Sequence, residues 1–398
     1  MMKDKLWTRS FLAVAGGNFL LFFAFYLLLP VLPMYLMEQF GSNKTTVGVI
    51  LSSYTITALF VRPFAGYMVD TFPRKPLQLI CYGVFTLFFG GYLLAGTLLL
   101  FAVIRAMHGL AFGMVTVSNS TVAIDVMPSS RRGEGIGYYG VSSNLAMAMA
   151  MGPTVSLYIL DAFRNYDSIF LLSLFSCILG FILITTIKMP LKQRSVEIQP
   201  EKEHVSLDRF LLVKGVSGAI SLCLLSFSYG VLSTYLAIYG KEEVGIDSGT
   251  GLYFMLMAFG LIFSRLTTGK YLNKGLIVNM ITVGIVFLVI GYSVFIFLKS
   301  PVGYYFSAAV LGMGYGLICP SFQNLFINLA THSQRGTANS TFFTAWDLGL
   351  GLGVLIGGSI ADMSDYTAAY TFALVLVVLG FFFFRHIAGP YFEKNKLR

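Results

Sequence analysis

The 398-residue chain carries a formal net charge of +9, is 56% hydrophobic and only 11% charged, and has a mean hydropathy of +0.77. A soluble domain carries about 25% charged residues, so a water-facing surface is excluded and the chain is expected to dissolve in lipid. Its basic residues sit in short connections between apolar runs, which argues for membrane orientation and against a nucleic-acid partner.

The first apolar run, from Phe11 to about Val31, follows Lys3, Lys5 and Arg9. It is too long for the apolar part of a signal peptide, and no small-residue cleavage site follows, so a retained first transmembrane helix is expected. Spanning a bilayer takes roughly 20 apolar residues. Runs of this kind centre near Leu21, Thr57, Thr86, Gly109, Ala146, Ser176, Phe227, Phe259, Ile285, Gly314, Leu348 and Leu376, twelve in all. A backbone in lipid must satisfy its own hydrogen bonds, so each run predicts a helix. Pro30, Pro33, Pro153 and Pro320 are expected to bend theirs. Cys81, Cys177, Cys223 and Cys319 each lie inside a run without metal-ligand spacing, so they are read as buried thiols and no metal site is expected.

The direction of the chain follows from its Lys and Arg residues. With the N-terminus in the cytoplasm, twenty of them fall on that side, and only Lys44, Arg164, Lys241 and Lys299 fall opposite. Both termini are therefore expected in the cytoplasm. The longest connection, about residues 190–206, is charged and core-poor, and reads as a cytoplasmic linker between residues 1–189 and 207–398. No G-x-x-x-x-G-K-[ST] segment occurs, which argues against an ATP-driven pump.

The two parts are copies. Arg265 stands 203 residues after Arg62, and the same interval separates Gly66 from Gly269 and Asp70 from Asn273. It also links Tyr26 to Tyr229, Gly48 to Gly251, Gly109 to Gly312, Gly113 to Gly316 and Arg132 to Arg335. A register held this far means one architecture used twice. The predicted fold is all-α and integral to the membrane, with twelve helices in two pseudo-symmetric six-helix bundles.

The segment Gly66-Tyr-Met-Val-Asp70-Thr-Phe-Pro-Arg74-Lys75 resembles the loop motif between the second and third helices of the major facilitator superfamily. Arg105 with Gly109 and Gly113 resembles the family's Arg-and-Gly motif in the fourth helix, and Gly152-Pro153 resembles part of the fifth-helix motif of its proton-coupled exporters. The resemblance implies a cytoplasmic gate at Gly66, Asp70 and Arg74, with Arg265 from the second copy. It also implies that Asp70 meets the N-terminal end of the eleventh helix when that side is closed. Asn273 keeps a polar group without the charge, so the second copy should gate more weakly.

Three groups of residues are candidates for transport. In the fourth span, Arg105, His108, Thr116 and Asn119 share an arc of about 80° at 100° per residue. A polar stripe on a membrane helix must face protein or water, so Arg105 and His108 are expected on the central cavity, with an Arg snorkelling to the interface as the alternative. Asp347 lies in the middle of the eleventh span. A carboxylate there must be protonated, paired or hydrated, which makes it the candidate proton-coupling residue or the holder of a substrate cation, against a purely structural pairing. Asn144 is its repeat mate, and Asn18, Tyr26, Asn119 and Tyr229 complete the expected substrate cavity, against simple helix–helix hydrogen bonding. The small-residue stripes Gly140, Asn144, Ala148, Gly152 and Ala345, Gly349, Gly353, Gly357 suit helices that approach closely.

These readings converge on a monomeric secondary transporter of the bacterial cytoplasmic (inner) membrane. It has no cofactor and is driven by the proton gradient, and it exports a drug or metabolite by alternating access. Proton-coupled uptake of a small metabolite or sugar is the alternative within transport. A membrane-embedded receptor or enzyme is the alternative class, disfavoured because no nucleophile motif or soluble domain is visible.

Overall fold

The computed structural model describes residues 4–29, 31–151, 165–189, 207–246 and 250–397. The expected bends at Pro30 and Pro153, the Gly152-Pro153 motif and the 190–206 linker lie outside the described residues. Every long apolar run that is described folds as a helix. The first half holds α1 (Arg9–Leu28), a short α2 (Leu32–Phe40), α3 (Lys44–Thr71), α4 (Arg74–Leu93), α5 (Leu98–Val126), α6 (Arg132–Met151) and α7 (Asp167–Thr185). The second holds α8 (Val216–Glu243), α9 (Thr250–Asn273), α10 (Ile277–Phe297), α11 (Pro301–Leu329), α12 (Arg335–Met363) and α13 (Tyr366–Phe383), and a short α14 (Gly389–Asn395) follows.

Eleven of the described helical segments are long and apolar enough to cross a membrane. The described part of α6 ends at Met151 and completes the set of twelve bundle helices. Side-chain caps start several helices: Thr8, Asn43, Thr97, Ser300 and Asp365 each accept a backbone N–H of the first turn. Large apolar side chains such as Phe60, Leu87, Phe259 and Leu355 stand exposed around the outside, while Asn119, Thr121, Ser228 and Asn339 are fully or almost fully buried. That arrangement is stable only where the surroundings are themselves apolar.

The repeat in the sequence is a repeat in packing. In the first half α3 packs on α5, α1 on α6 and α7, and α4 on α5 and α7; in the second α9 packs on α11, α8 on α12 and α13, and α10 on α11 and α13. Glycine sets two of these crossings. A Cβ on Gly109 would stand 2.2 Å from the Tyr54 carbonyl oxygen, and a Cβ on Gly312 would stand 2.2 Å from that of Met257. Tyr54 and Met257 are again 203 residues apart. Only a residue without a side chain lets each helix pair come so close. The two halves meet along two related seams, α3 against α12 and α9 against α6.

Candidate functional site

Asp4, whose carbonyl accepts from Arg131, and Leu397, whose N–H bonds the Asn328 carbonyl, lie at one end of the bundle, called here the terminus end, and there the seams are closed. Asp70 at the end of α3 faces the first turn of α12. Its Oδ1 accepts the Gly336 N–H at 2.7 Å, and its Oδ2 accepts the Thr337 N–H at 2.8 Å and the Thr337 hydroxyl at 2.9 Å. A carboxylate is well matched to a helix N-terminus, where unpaired N–H groups and the helix dipole both favour negative charge. Arg74 donates to Asp70 at 3.3 Å, to the His332 carbonyl at 3.0 Å, and pairs with Asp125 at the end of α5. The other oxygen of Asp125 accepts from Arg335 of α12 at 2.7 Å. Asp125 thus ties the two halves through two arginines, a role the sequence reading did not assign to it. Gly66 allows the contact: a Cβ there would meet the Ser340 Cβ at 2.6 Å and the Thr337 Cα at 2.9 Å.

The second seam repeats the design with less charge. The Asn273 side-chain oxygen accepts the Glu134 N–H at 3.0 Å, in the first turn of α6. Glu134 is the repeat mate of Thr337. One neutral acceptor therefore stands where the first seam has a carboxylate with three donors on α12.

Above the closed end lies a cavity of about 550 Å³, lined by both halves. Asp347 of α12 is on its wall, twelve residues into the helix, or about 18 Å at 1.5 Å per residue. It is paired with Arg62 of α3, whose Nε stands 2.6 Å from Oδ2. Arg62 also donates to the Thr116 hydroxyl at 3.2 Å and lies over the Phe343 ring at 4.7 Å. The pair crosses from one half to the other. The other hydrogen bonds between the halves, made by Arg74, Asp70, Asn273, Arg335, Asn339 and Ser340, lie at its level or nearer the terminus end. Toward the far end, a Cβ added to Gly48 of α3, to its mate Gly251 of α9, or to Gly351 of α12 would meet no described residue within 4 Å.

Of the expected cavity residues, Asn18, Tyr26, Asn144, Tyr229 and Asp347 line it. Asn18 is already engaged, donating to Ser142 at 2.9 Å and accepting from Tyr139 at 2.7 Å, both on α6. Its bonds hold α1 to α6.

Three expectations are corrected. Arg105 and His108 do not line the cavity. Arg105 is buried behind Tyr54, 4.1 Å from that ring, and donates to the Tyr92 hydroxyl at 3.2 Å, which also bonds His108 Nδ1 at 2.9 Å. Asn119 is likewise off the cavity, accepting from Gln78 of α4 at 2.9 Å. The polar arc of α5 faces α3 and α4, and only Thr116 reaches the cavity edge. Periodicity identifies a shared face but not the helix that face meets. Third, Arg265 is not at the gate. It sits eight residues before Asn273, about 12 Å deeper along α9, and lines the cavity as Arg62 does. The low charge of the spans was the signal that would have found both arginines: with Arg105, they are the only basic residues inside the apolar runs.

The geometry fits a substrate cavity that is closed at one end, with a charged pair on its wall and no metal-binding cluster among the described residues. The comparisons agree. The model of the Major Facilitator Superfamily matches residues 14–353. The staphylopine export protein of Staphylococcus aureus is 24% identical over 378 residues, covering 90% of this chain and 91% of its own. The quinolone resistance protein NorA of the same species is 22% identical over 359 residues, covering 87% and 88%. Among solved structures, the human organic anion transporter MFSD10 matches with a TM-score of 0.78 at 17% identity, over 94% of this chain and 99% of that one. FucP in its outward conformation matches with a TM-score of 0.77 at 16% identity, over 94% and 97%. The chain belongs to the Major Facilitator Superfamily, as a multi-pass membrane transporter of small molecules rather than an enzyme.

Proposed function

We propose that the protein exports a small molecule across the bacterial cytoplasmic membrane in exchange for protons, with both termini in the cytoplasm. The observation that carries this reading is the Arg62–Asp347 pair, which joins the two halves on the wall of a cavity closed at the terminus end. Among the described residues, Arg265 is the other charged group on that wall.

An ionised Asp347 attracts Arg62 across the seam and favours closure of the terminus end. A proton arriving from the far side neutralises Asp347, and the attraction is lost. Asp70 and the Asp125 bridge then hold the seam alone, and the halves can swing so that the cytoplasmic side opens. Release of that proton to the cytoplasm restores the pair once substrate is loaded. One proton thus enters for each return of the empty cavity, which is antiport. The names of two relatives, a staphylopine export protein and a quinolone resistance protein, support the outward direction.

The test is a substrate screen in inside-out vesicles with and without an imposed pH gradient, acid inside. Expected is substrate accumulation that needs the gradient and vanishes in Asp347→Asn. Gradient-driven accumulation only in right-side-out vesicles with acid outside would mean uptake instead. Accumulation by Asp347→Asn equal to that of the unaltered protein would reject the coupling role.

A further inference from the structure

The repeat that builds the Arg62–Asp347 pair builds its counterpart incompletely. Arg265 corresponds to Arg62, and Asn144 corresponds to Asp347. Cys319, which lines the cavity with Arg265, corresponds to Thr116, which serves Arg62. The second site therefore has the arginine and the supporting group but an amide where the first has a carboxylate. The Arg265 guanidinium crosses from α9 onto α6: a Cβ on Gly140 would stand 1.9 Å from its Nη1. Gly140 is one turn before Asn144, on the same helix face.

Both groups are short of acceptors. Arg265 Nε and Asn144 Nδ2 are buried and make no hydrogen bond to any described residue. Both are donors. Tyr26 and Tyr229, from opposite halves, line the same cavity as Arg265. Among the described residues, the acid on the cavity wall is Asp347, and it is taken by Arg62. One positive charge with three further donor groups, on Asn144, Tyr26 and Tyr229, is left facing the cavity. A cationic substrate would be repelled there, and a neutral one would leave the guanidinium uncompensated in a medium of low dielectric, where an unpaired charge is costly.

We propose that Arg265, with Asn144, Tyr26 and Tyr229, binds the carboxylate of a monoanionic organic substrate whose apolar body rests against the aromatic wall near Trp346. A carboxylate suits the site because its two oxygens match the planar fork of a guanidinium. A monoanion suits it because one positive charge is uncompensated. The proposal rests on reading this cavity as the transport site. It also separates two tasks: the proton acts on the α3/α12 seam and the substrate anion on the α9/α6 seam.

The test uses purified protein in detergent. The chain has two tryptophans, and Trp346 lines the cavity while Trp7 is half-exposed near the start of α1. In a Trp7→Phe background, Trp346 fluorescence reports cavity occupancy. The probes are 4-phenylbutyrate, 4-phenylbutanamide and 4-phenylbutylamine, which differ in charge on one skeleton. Expected is binding of the acid at least about tenfold tighter than of the amide or amine, since a charge-assisted bidentate contact supplies that much. Arg265→Gln removes the preference, and Asn144→Asp, which supplies the acid missing from the repeat, removes it too. Arg265→Lys keeps part of it. Equal binding of the three probes, or no response to the acid up to about 10 mM, overturns the proposal. So does a preference that survives Arg265→Gln but is lost in Arg62→Gln, which would put the anion on the other arginine. No proton gradient is present, so the result stands whether or not proton coupling or the direction of transport proves correct.

Discussion

The α3/α12 and α9/α6 seams are the same architecture built twice, and at two matched positions a carboxylate on the first is an amide on the second. At the terminus end, Asp70 on the first seam is matched by Asn273 on the second. On the cavity wall, Asp347 of the first is matched by Asn144 of the second. Each carboxylate on the first seam bonds across to the other half; Asn273 accepts one backbone N–H and donates at 3.4 Å to Glu134, and the Asn144 amide nitrogen makes no hydrogen bond among the described residues. The comparison teaches that pseudo-symmetry need not divide the work evenly. The first seam holds both carboxylates that cross between the halves by way of α3 and α12, and the second keeps a cation for a ligand.

The largest effect is expected from removing the cation of the first seam. Arg62→Gln strands the Asp347 carboxylate in a low-dielectric wall, and breaking a buried pair this way costs about 3–5 kcal/mol. Thermal unfolding in detergent at neutral pH reads the loss. The double variant Arg62→Gln/Asp347→Asn should recover most of it, because no charge is then left unpaired. If the double variant is as unstable as the single one, the loss comes from packing of Arg62 against Phe343 and not from the charge.

Next in size is a steric block. Gly66→Val places a branched side chain where a Cβ alone meets Ser340 at 2.6 Å. Overpacking typically costs about 1–3 kcal/mol, so closure of the terminus end should be disfavoured by about tenfold or more. Labelling of a cysteine placed near Gly336 should speed up in this variant. An unchanged labelling rate would mean that the seam yields without opening.

Asp70→Asn is smaller. It keeps an acceptor but loses the charge that strengthens the bonds to Gly336 and Thr337, a difference of about 1 kcal/mol. Initial transport rates should fall several-fold with normal expression; unaltered rates would remove Asp70 from the gate. Smallest is Asn273→Asp, which makes the second seam resemble the first. The gain at the α6 N-terminus, about 0.3–1 kcal/mol, is opposed by Glu134, whose carboxylate already lies 3.4 Å from the Asn273 amide nitrogen. Little net change is expected, and a large rise in transport would show that the second seam limits closure.

Much of this was legible in the sequence. The 203-residue interval, the twelve runs and the isolation of Asp347 and Asp70 follow from composition and spacing. Local pattern does not specify long-range partners. Arg62 was visible in the repeat, yet its partner lies 285 residues away. Asp125 stands at a helix end, and nothing nearby in sequence hints that two arginines from different halves converge on it. Arg105 and His108 were assigned to the right helix face but the wrong neighbour: the arc meets Tyr54 and Tyr92 before it reaches the cavity.

The most direct test of the account needs no substrate. Spin labels on the terminus ends of α3 and α12, and a second pair on their far ends, give the two seam distances by pulsed electron resonance at several pH values. The account predicts that the unaltered protein is closed at the terminus end at high pH and opens there as pH falls, while Asp347→Asn is already shifted toward that opening and ignores pH. Distances that do not respond to pH in the unaltered protein, or that respond equally in Asp347→Asn, would contradict it.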